Sequence, residues 1–435
     1  MVKKNPIAIA KLICIFVYIC LILIYNFKEI KKAKRIFVNS WGFGHSITDT
    51  SAYLNHYRGK GRVISLGTSF GQIPGTERNY FFNLLQHHKL IITLNLPYAF
   101  LTKDNWPLVH PLCIKTLKLF SFLLGNSKLI IEGNNEQINI NVLPKIISRN
   151  LGINLNEGKK ILNDLLLSYK VAENHYQSSH TIQFFFKQPK LNVKILKTRL
   201  DSRLADFYKK KMENKKYVCL TIRRGAAPYH SNANYYQKVI KLLHSKGFEV
   251  YLLGDKQYFI NIIEQEKVSY SRIVINYKIN QEDSKLLDLL AISGCAFVVG
   301  DQGGVWSLVH GFNKPGLIIN SSCVAHLQYN VESLPRKWIY EHNKTEVNDA
   351  NILFAELYFR YKPFYITHRG LRVIQVENDL DLILRVVERY INKFEYLVQR
   401  KMQKKLINYF SDNVQLKLAN GSCYSDEYIE KLVFD

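Results

Sequence analysis

Three stretches decide the reading of this chain: YVCLTIRRGAAPYH at 217–230, VYLLGD at 250–255 and FVVGDQGGVWSLVHGFNKPGLIIN at 297–320. Each opens or closes on an unbroken apolar run, the pattern of a strand buried on both faces. The runs end in glycine, arginine or aspartate, and helical periodicity follows. Tyr236, Val239, Ile240 and Leu243 share one face of 234–245, and Gly247 stops it. Strand–loop–helix repeated in this way predicts a parallel sheet. Its loops gather beyond the carboxyl ends of the strands, where ligands bind in open α/β sheets.

The side chains on those loops suit phosphate. Arg223 and Arg224 follow directly on the first strand, an expensive place for two guanidinium groups unless an anion or a carboxylate receives them. An ion pair bracing the loop is the plainer reading of the same pair. Asp301, Gln302, Gly303 and Gly304 lie between a strand and a predicted helix over 305–311, with Ser307 in its first turn. Glycines there allow close backbone approach, and the opening amides face outward. Asp301 could instead cap the helix. Gly254 and Asp255 end the VYLLGD strand, where the carboxylate could accept from a ribose or cap the next helix.

The same alternation runs upstream. Strands are predicted at 36–39, 62–66, 90–94 and 128–132, with helices at 77–87, 111–124 and 159–169. The first strand leads into SWGFGHS, which places Gly42, Gly44 and His45 in a strand–helix loop, with Asp49 one helical turn on. Such a loop is expected to face the second domain's ligand edge. His45 could act as general base on an acceptor hydroxyl, Asp49 could orient it or replace it, and His230 is a third candidate. A histidine that contacts phosphate or merely braces the loop fits the sequence equally.

Composition bounds the rest. The chain has 435 residues, 47% hydrophobic, with 60 basic and 35 acidic residues for a formal charge of +25. That content fills two cores. The lysines are scattered and no nucleic-acid-binding signature occurs, so the charge reads as proximity to an anionic membrane rather than nucleic-acid binding. No CxxC pair or Cys/His cluster has zinc spacing, and the cysteines past the amino-terminal segment read as reduced, buried small hydrophobes. Glu377–Asp381 reads as a helix cap rather than a metal site, and neither a metal nor a cofactor is expected.

Pro6 to Tyr25 holds one charge, Lys11, and is long enough to cross a bilayer. Basic residues at Lys28, Lys31, Lys32, Lys34 and Arg35 favour a cytoplasmic carboxyl side. No small-x-small cleavage site follows. The expectation is a single-pass anchor in the cytoplasmic membrane, contacting inner-membrane lipid. The predicted organisation is therefore anchor and basic flank at 1–35, a Rossmann-like domain at 36–205 and a second at 206–375. A long helix and a basic amphipathic tail follow at 376–435.

With those motifs in hand, the chain resembles bacterial glycosyltransferases of the two-Rossmann-domain (GT-B) type, particularly a fucosyltransferase-like group acting on surface polysaccharides. The likeness covers most of 36–390, with GFGH and GLRVIQVEN in supporting positions. In that group the first motif is usually His-x-Arg-Arg-x-Asp. Here Thr221 stands at the histidine position and Ala226 at the aspartate position, and Asp301–Gly304 replace common serines. The resemblance implies metal-independent, inverting sugar transfer from a nucleotide-sugar to a hydroxyl of a polysaccharide or lipid-linked oligosaccharide. Arg223, Arg224, Asp255, Asp301, Gly303, Gly304 and Ser307 would line the donor site. A nucleotide-sugar epimerase of the same architecture and an inactive glycan-binding protein are the competing expectations.

Overall fold

The structure, a computed structural model, describes residues 6–38, 63–68, 91–94, 106–126, 128–133, 156, 216–223, 232–254, 281–303, 305–321, 331–349, 365–393 and 423–432. The chain divides into two compact units, Met1–Ile138 with Tyr169–Ile195, and Asn139–Ser168 with Leu196–Asp435. The expected helices at 77–87 and 159–169 lie outside the described residues.

In the first unit, helices α1 (Pro6–Tyr25) and α2 (Phe27–Lys32) lead into strand β1 (Arg35–Val38). Strands β2 (Val63–Thr68) and β3 (Ile91–Leu94), helix α3 (Trp106–Leu123) and strand β4 (Ile130–Gly133) follow. The strands form a parallel sheet in the order β3-β2-β1-β4. This is a Rossmann order, with its reversal at β1 and β4. Helix α3 starts upstream of the predicted 111–124. Pro107 fits its first turn, and Pro111 forgoes only one early backbone bond.

The core of this unit explains what α1 does. Ile19 and Leu23, one turn apart, are fully buried with Cys113 and Leu117 of α3 and with Ile30, Ala33 and Ile36. Burial pushes the Cys113 thiol up to about 12, so it stays protonated and packs as a small hydrophobe. The helix expected over Pro6–Tyr25 is present, but the single-pass anchor is not supported. Among the described residues no helix is long and apolar enough to cross a membrane. One flank of α1 is committed to protein packing rather than to lipid.

In the second unit, strands β5 (Tyr217–Ile222) and β6 (Glu249–Gly254) flank helix α4 (Ala233–Ser245). Helix α5 (Gln281–Gly294), strand β7 (Val298–Asp301), helix α6 (Trp306–Gly311) and strand β8 (Gly316–Ser321) come next. They are followed by β9 (Val331–Pro335), β10 (Lys337–Tyr340), β11 (Tyr365–His368), β12 (Leu371–Val376) and helix α7 (Leu380–Lys393). Strand β13 (Cys423–Tyr424) and helix α8 (Asp426–Ile429) complete it. Six strands pair in parallel in the order β13-β9-β8-β7-β5-β6. The all-buried run of β5 and the apolar start of β8 are what the unbroken apolar sequence predicts; β9, VESLP, is buried as well although it carries Glu332 and Ser333. Phe248, Phe297 and Tyr390 stack edge to face beneath α4 and α7, with centroids 5.5 and 5.4 Å apart.

Two features were not legible in the sequence. β10, β12 and β11 form a separate antiparallel sheet. β13 extends the main sheet from near the carboxyl terminus, where Cys423 pairs with Glu332. An ion-pair cluster anchors that edge. Arg389 of α7 binds Glu332, which is fully buried on β9, and donates to Glu427 of α8 at 2.6 and 2.9 Å. Burial alone would lower the Arg389 pKa, but the two carboxylates raise it, and the guanidinium stays charged.

Candidate functional site

Strand order in the second sheet reverses between β5 and β7: β6 lies on one side of β5, and β7, β8 and β9 on the other. The carboxyl edge at such a reversal is where open α/β sheets hold ligands. Strand register brings several chain exits level there. Ile222 pairs with Gly254, Thr221 with Gly300, Asp301 with Ile319, and Ser321 with Pro335. Arg223, Gln302, the end of β8 and Arg336 therefore share one edge.

The two central strands approach unusually closely. Gly300 has φ 140, and a Cβ there would collide with the carbonyl and hydroxyl oxygens of Thr221. The Thr221 hydroxyl donates to the Asp301 carbonyl at 3.2 Å. Arg223, exposed at the strand end, donates from Nη1 to the Gln302 carbonyl at 3.4 Å. The loop after β7 is also held from below. Trp306 opens α6 fully buried, and its indole N–H donates to the Asp301 carbonyl at 2.7 Å. A Cβ on Gly316 would meet the Trp306 ring at 2.5 Å, so that glycine makes room for the indole. Helix α6 has six residues, so its dipole is small, and among the described residues the exposed positive charge on this edge is that of Arg223.

Behind the loop lies a buried polar layer. The Tyr236 phenol of α4 has its pKa raised, first by burial and then by the Asp301 carboxylate beside it, with Glu377 adding and Arg336 opposing. At neutral pH it is therefore un-ionised and able to donate to Asp301. Asn320, at the end of β8 with φ 52, accepts through Oδ1 from the Asn378 amide N–H at 2.8 Å and from Asn378 Nδ2 at 2.9 Å. Its carbonyl accepts from Arg336 Nε at 3.3 Å. Arg336 pairs with Glu377 at 3.3 Å, and Glu377 also accepts from Asn232, the N-cap of α4, at 3.4 Å. Each buried polar side chain named here has a partner, as a low-dielectric interior requires. The layer ties the β8, β9 and β12 exits to the start of α4.

Of the candidate residues, Arg223, Gly254, Asp301, Gln302 and Gly303 are described, and all stand at this edge; Ser307 lies within α6. Arg224, Asp255 and Gly304 lie outside the described residues, as do Gly42, Gly44, His45, Asp49 and His230. The strand that would carry Gly42, Gly44 and His45, β1, does stand at the reversal of its own sheet.

Sequence reasoning missed Gly300, Trp306, Tyr236, Asn320, Arg336, Glu377 and Asn378. Gly300 and Trp306 had signals: a glycine inside a strand marks close backbone approach, and a tryptophan amid glycines marks a plug. Arg336 and Glu377 had none, because their meeting depends on which strands become neighbours.

No family model matches this chain, and no curated protein matches it. Among solved structures, it is similar to the E. coli heptosyltransferase WaaC with ADP-2-deoxy-2-fluoro heptose, at 12% identity over 74% of this chain and 95% of that one, TM-score 0.33. A glycosyl transferase of family 9 from Veillonella parvula aligns at 11% identity over 69% and 85%, TM-score 0.38. A Methanocaldococcus jannaschii UDP-GlcNAc 2-epimerase in complex with UDP-GlcNAc and UDP aligns at 13% identity over 83% and 99%, TM-score 0.28. None of these is described as a fucosyltransferase, so that part of the expectation finds no support. Likenesses this distant carry no assignment of activity, which must rest on the chain's own residues.

Proposed function

We propose that this chain is a GT-B glycosyltransferase moving a sugar from a nucleotide-sugar donor to a hydroxyl of a surface polysaccharide or a lipid-linked oligosaccharide. The observation that carries the reading is the Arg223 guanidinium at the β5/β7 reversal, held against the Gln302 carbonyl on a loop fixed by Trp306. A planar, permanently charged fork on a rigid edge suits diphosphate oxygens. Arg224, next in sequence, would add a second fork. The acceptor oxygen forms its bond to the anomeric carbon as the bond from that carbon to the diphosphate oxygen breaks, giving inversion. The negative charge that develops on the leaving nucleoside diphosphate is stabilised by the arginines, and the acceptor proton passes to His45 or Asp49.

The test is a thermal-shift and transfer assay with nucleoside diphosphates and their sugars. A ligand at about 100 times its Kd should stabilise the folded chain by ~2.7 kcal/mol. Arg223→Ala should lose that shift and about 100-fold in kcat/KM, ~2.7 kcal/mol of transition-state binding, while the unliganded melting temperature is unchanged. A flat response to every nucleotide, or full activity in Arg223→Ala, removes the proposal. Turnover of donor to its epimer without acceptor would reassign the chain to an epimerase.

A further inference from the structure

Among the described residues, helices α1 and α3 leave a large apolar face exposed. Ile19 and Leu23 of α1 point into the core, whereas Ile13, Phe16, Val17, Leu21 and Ile24 on other flanks are exposed by 36–59%. At the carboxyl end of α3, Leu119, Phe122 and Leu123 are exposed by 50–81%. Monomeric soluble proteins rarely leave contiguous apolar surface of this kind open unless something docks on it.

Charge says what docks. Among the described residues, the exposed ionisable side chains around this face are basic: Lys28, Lys31, Lys32 and Lys34 after α1, Lys115 and Lys118 on α3, and Lys128 beyond it. Glu29 is half-buried among them. The fold brings lysines and apolar side chains together at one place. Asn126, three residues past Leu123, donates to the Ala33 carbonyl at 3.2 Å and the Lys31 carbonyl at 3.4 Å. The Ile130 amide donates to the Lys34 carbonyl at 3.0 Å. The apolar end of α3 therefore lies beside the Lys31–Lys34 backbone. A second copy docking through the same patch would set these lysines against one another.

We propose that this face docks on an anionic lipid bilayer, with the exposed flank of α1 and the carboxyl end of α3 lying in the interface plane and the lysines reaching the headgroups. Such a surface offers apolar depth under a negative layer, matching a mixed apolar and basic face. An in-plane pose keeps Ile19 and Leu23 on the protein, which a helix surrounded by lipid would not. The α2 and α3 ends enter the sheet at the amino ends of β1 and β4, so the Lys31–Lys34 segment and the carboxyl end of α3 lie at the amino edge of that sheet. The proposal is independent of the reaction assigned above.

The test is co-sedimentation of the full chain with vesicles of phosphatidylcholine alone and with phosphatidylglycerol added. Anionic vesicles should bind at least about tenfold more strongly, and salt should weaken the difference. Phe122→Ser with Leu123→Ser, and separately Lys31→Glu with Lys32→Glu and Lys34→Glu, should each lose about tenfold or more of that binding at an unchanged melting temperature. Because the lysines are exposed, the second variant keeps the test open if the first misfolds. Three outcomes overturn the proposal: equal binding to both vesicle types, both variants binding like the parent and resisting alkaline carbonate extraction (a spanning helix), or a dimer that hides the face and ignores vesicles.

Discussion

In the first unit the exposed large apolar side chains run from Ile13 to Phe27, along the end of α3 and on to Ile130, whereas in the second unit, among the described residues, only Leu371 is so exposed. Among the described residues, polar ties show the opposite bias. The carboxyl edge of the second sheet is laced by Thr221, Arg223, Trp306, Asn320, Arg336, Glu377 and Asn378. Two parallel sheets, each with a strand-order reversal, have thus been finished differently. One has turned apolar helix surface outward, and the other has used buried hydrogen bonds to hold charged loops at a sheet edge. The same architecture can present a surface to a partner or a fixed constellation to a ligand, and the side chains around the sheet decide which.

Substitutions can break or sharpen that contrast. The largest loss of stability is expected for Glu332→Ala. It removes the fully buried carboxylate that Arg389 binds, leaving that guanidinium only Glu427, and should cost about 3–5 kcal/mol, read as an earlier unfolding midpoint in denaturant. If the loss stays below about 1 kcal/mol, the β13 edge is held by something other than this cluster. In the first unit Leu23→Ala should cost about 2–5 kcal/mol if α1 packs on α3 in solution. A neutral result would mean that α1 is not part of that core, and the contrast between the units would fail.

A smaller effect is expected for Trp306→Phe, which keeps most of the apolar bulk but deletes the bond to the Asp301 carbonyl. About 1 kcal/mol of stability should go, and nucleotide affinity should fall several-fold as the loop loosens. Unchanged affinity would show that the loop is held from elsewhere.

The smallest effect concerns His244, half-buried on α4 with Nε2 lacking a partner. Burial lowers its pKa, and Glu249 only partly opposes this. The unfolded chain therefore takes up the proton first as pH falls through about 6.5, and stability declines below that point. His244→Gln should melt with less difference between pH 7 and pH 5 than the parent chain. An identical difference would leave no role for this histidine in acid sensitivity.

Much of the second unit was legible because its strands are buried on both faces. The apolar runs that open 217–230 and that open and close 297–320 coincide with β5, β7 and β8. Helix α4 was legible from the spacing of Tyr236, Val239, Ile240 and Leu243, all four buried. The antiparallel strands β10 and β11 were not, because KWIY and YITH are short and bear no clear alternation. In the candidate site the strand-end residues were legible, since a polar residue ending an apolar run stands out. The layer behind them was not.

The amino-acid sequence by itself determined where buried strands lie, where they end, and that arginine, aspartate and glycine stand at those ends, because desolvation and backbone geometry act residue by residue. Tertiary structure alone decided that Arg336 meets Glu377, that Glu332 is sealed under Arg389, and that one flank of the most apolar segment belongs to a protein core. Those outcomes depend on strand order and helix packing, which join residues tens of positions apart. No local pattern records such a meeting.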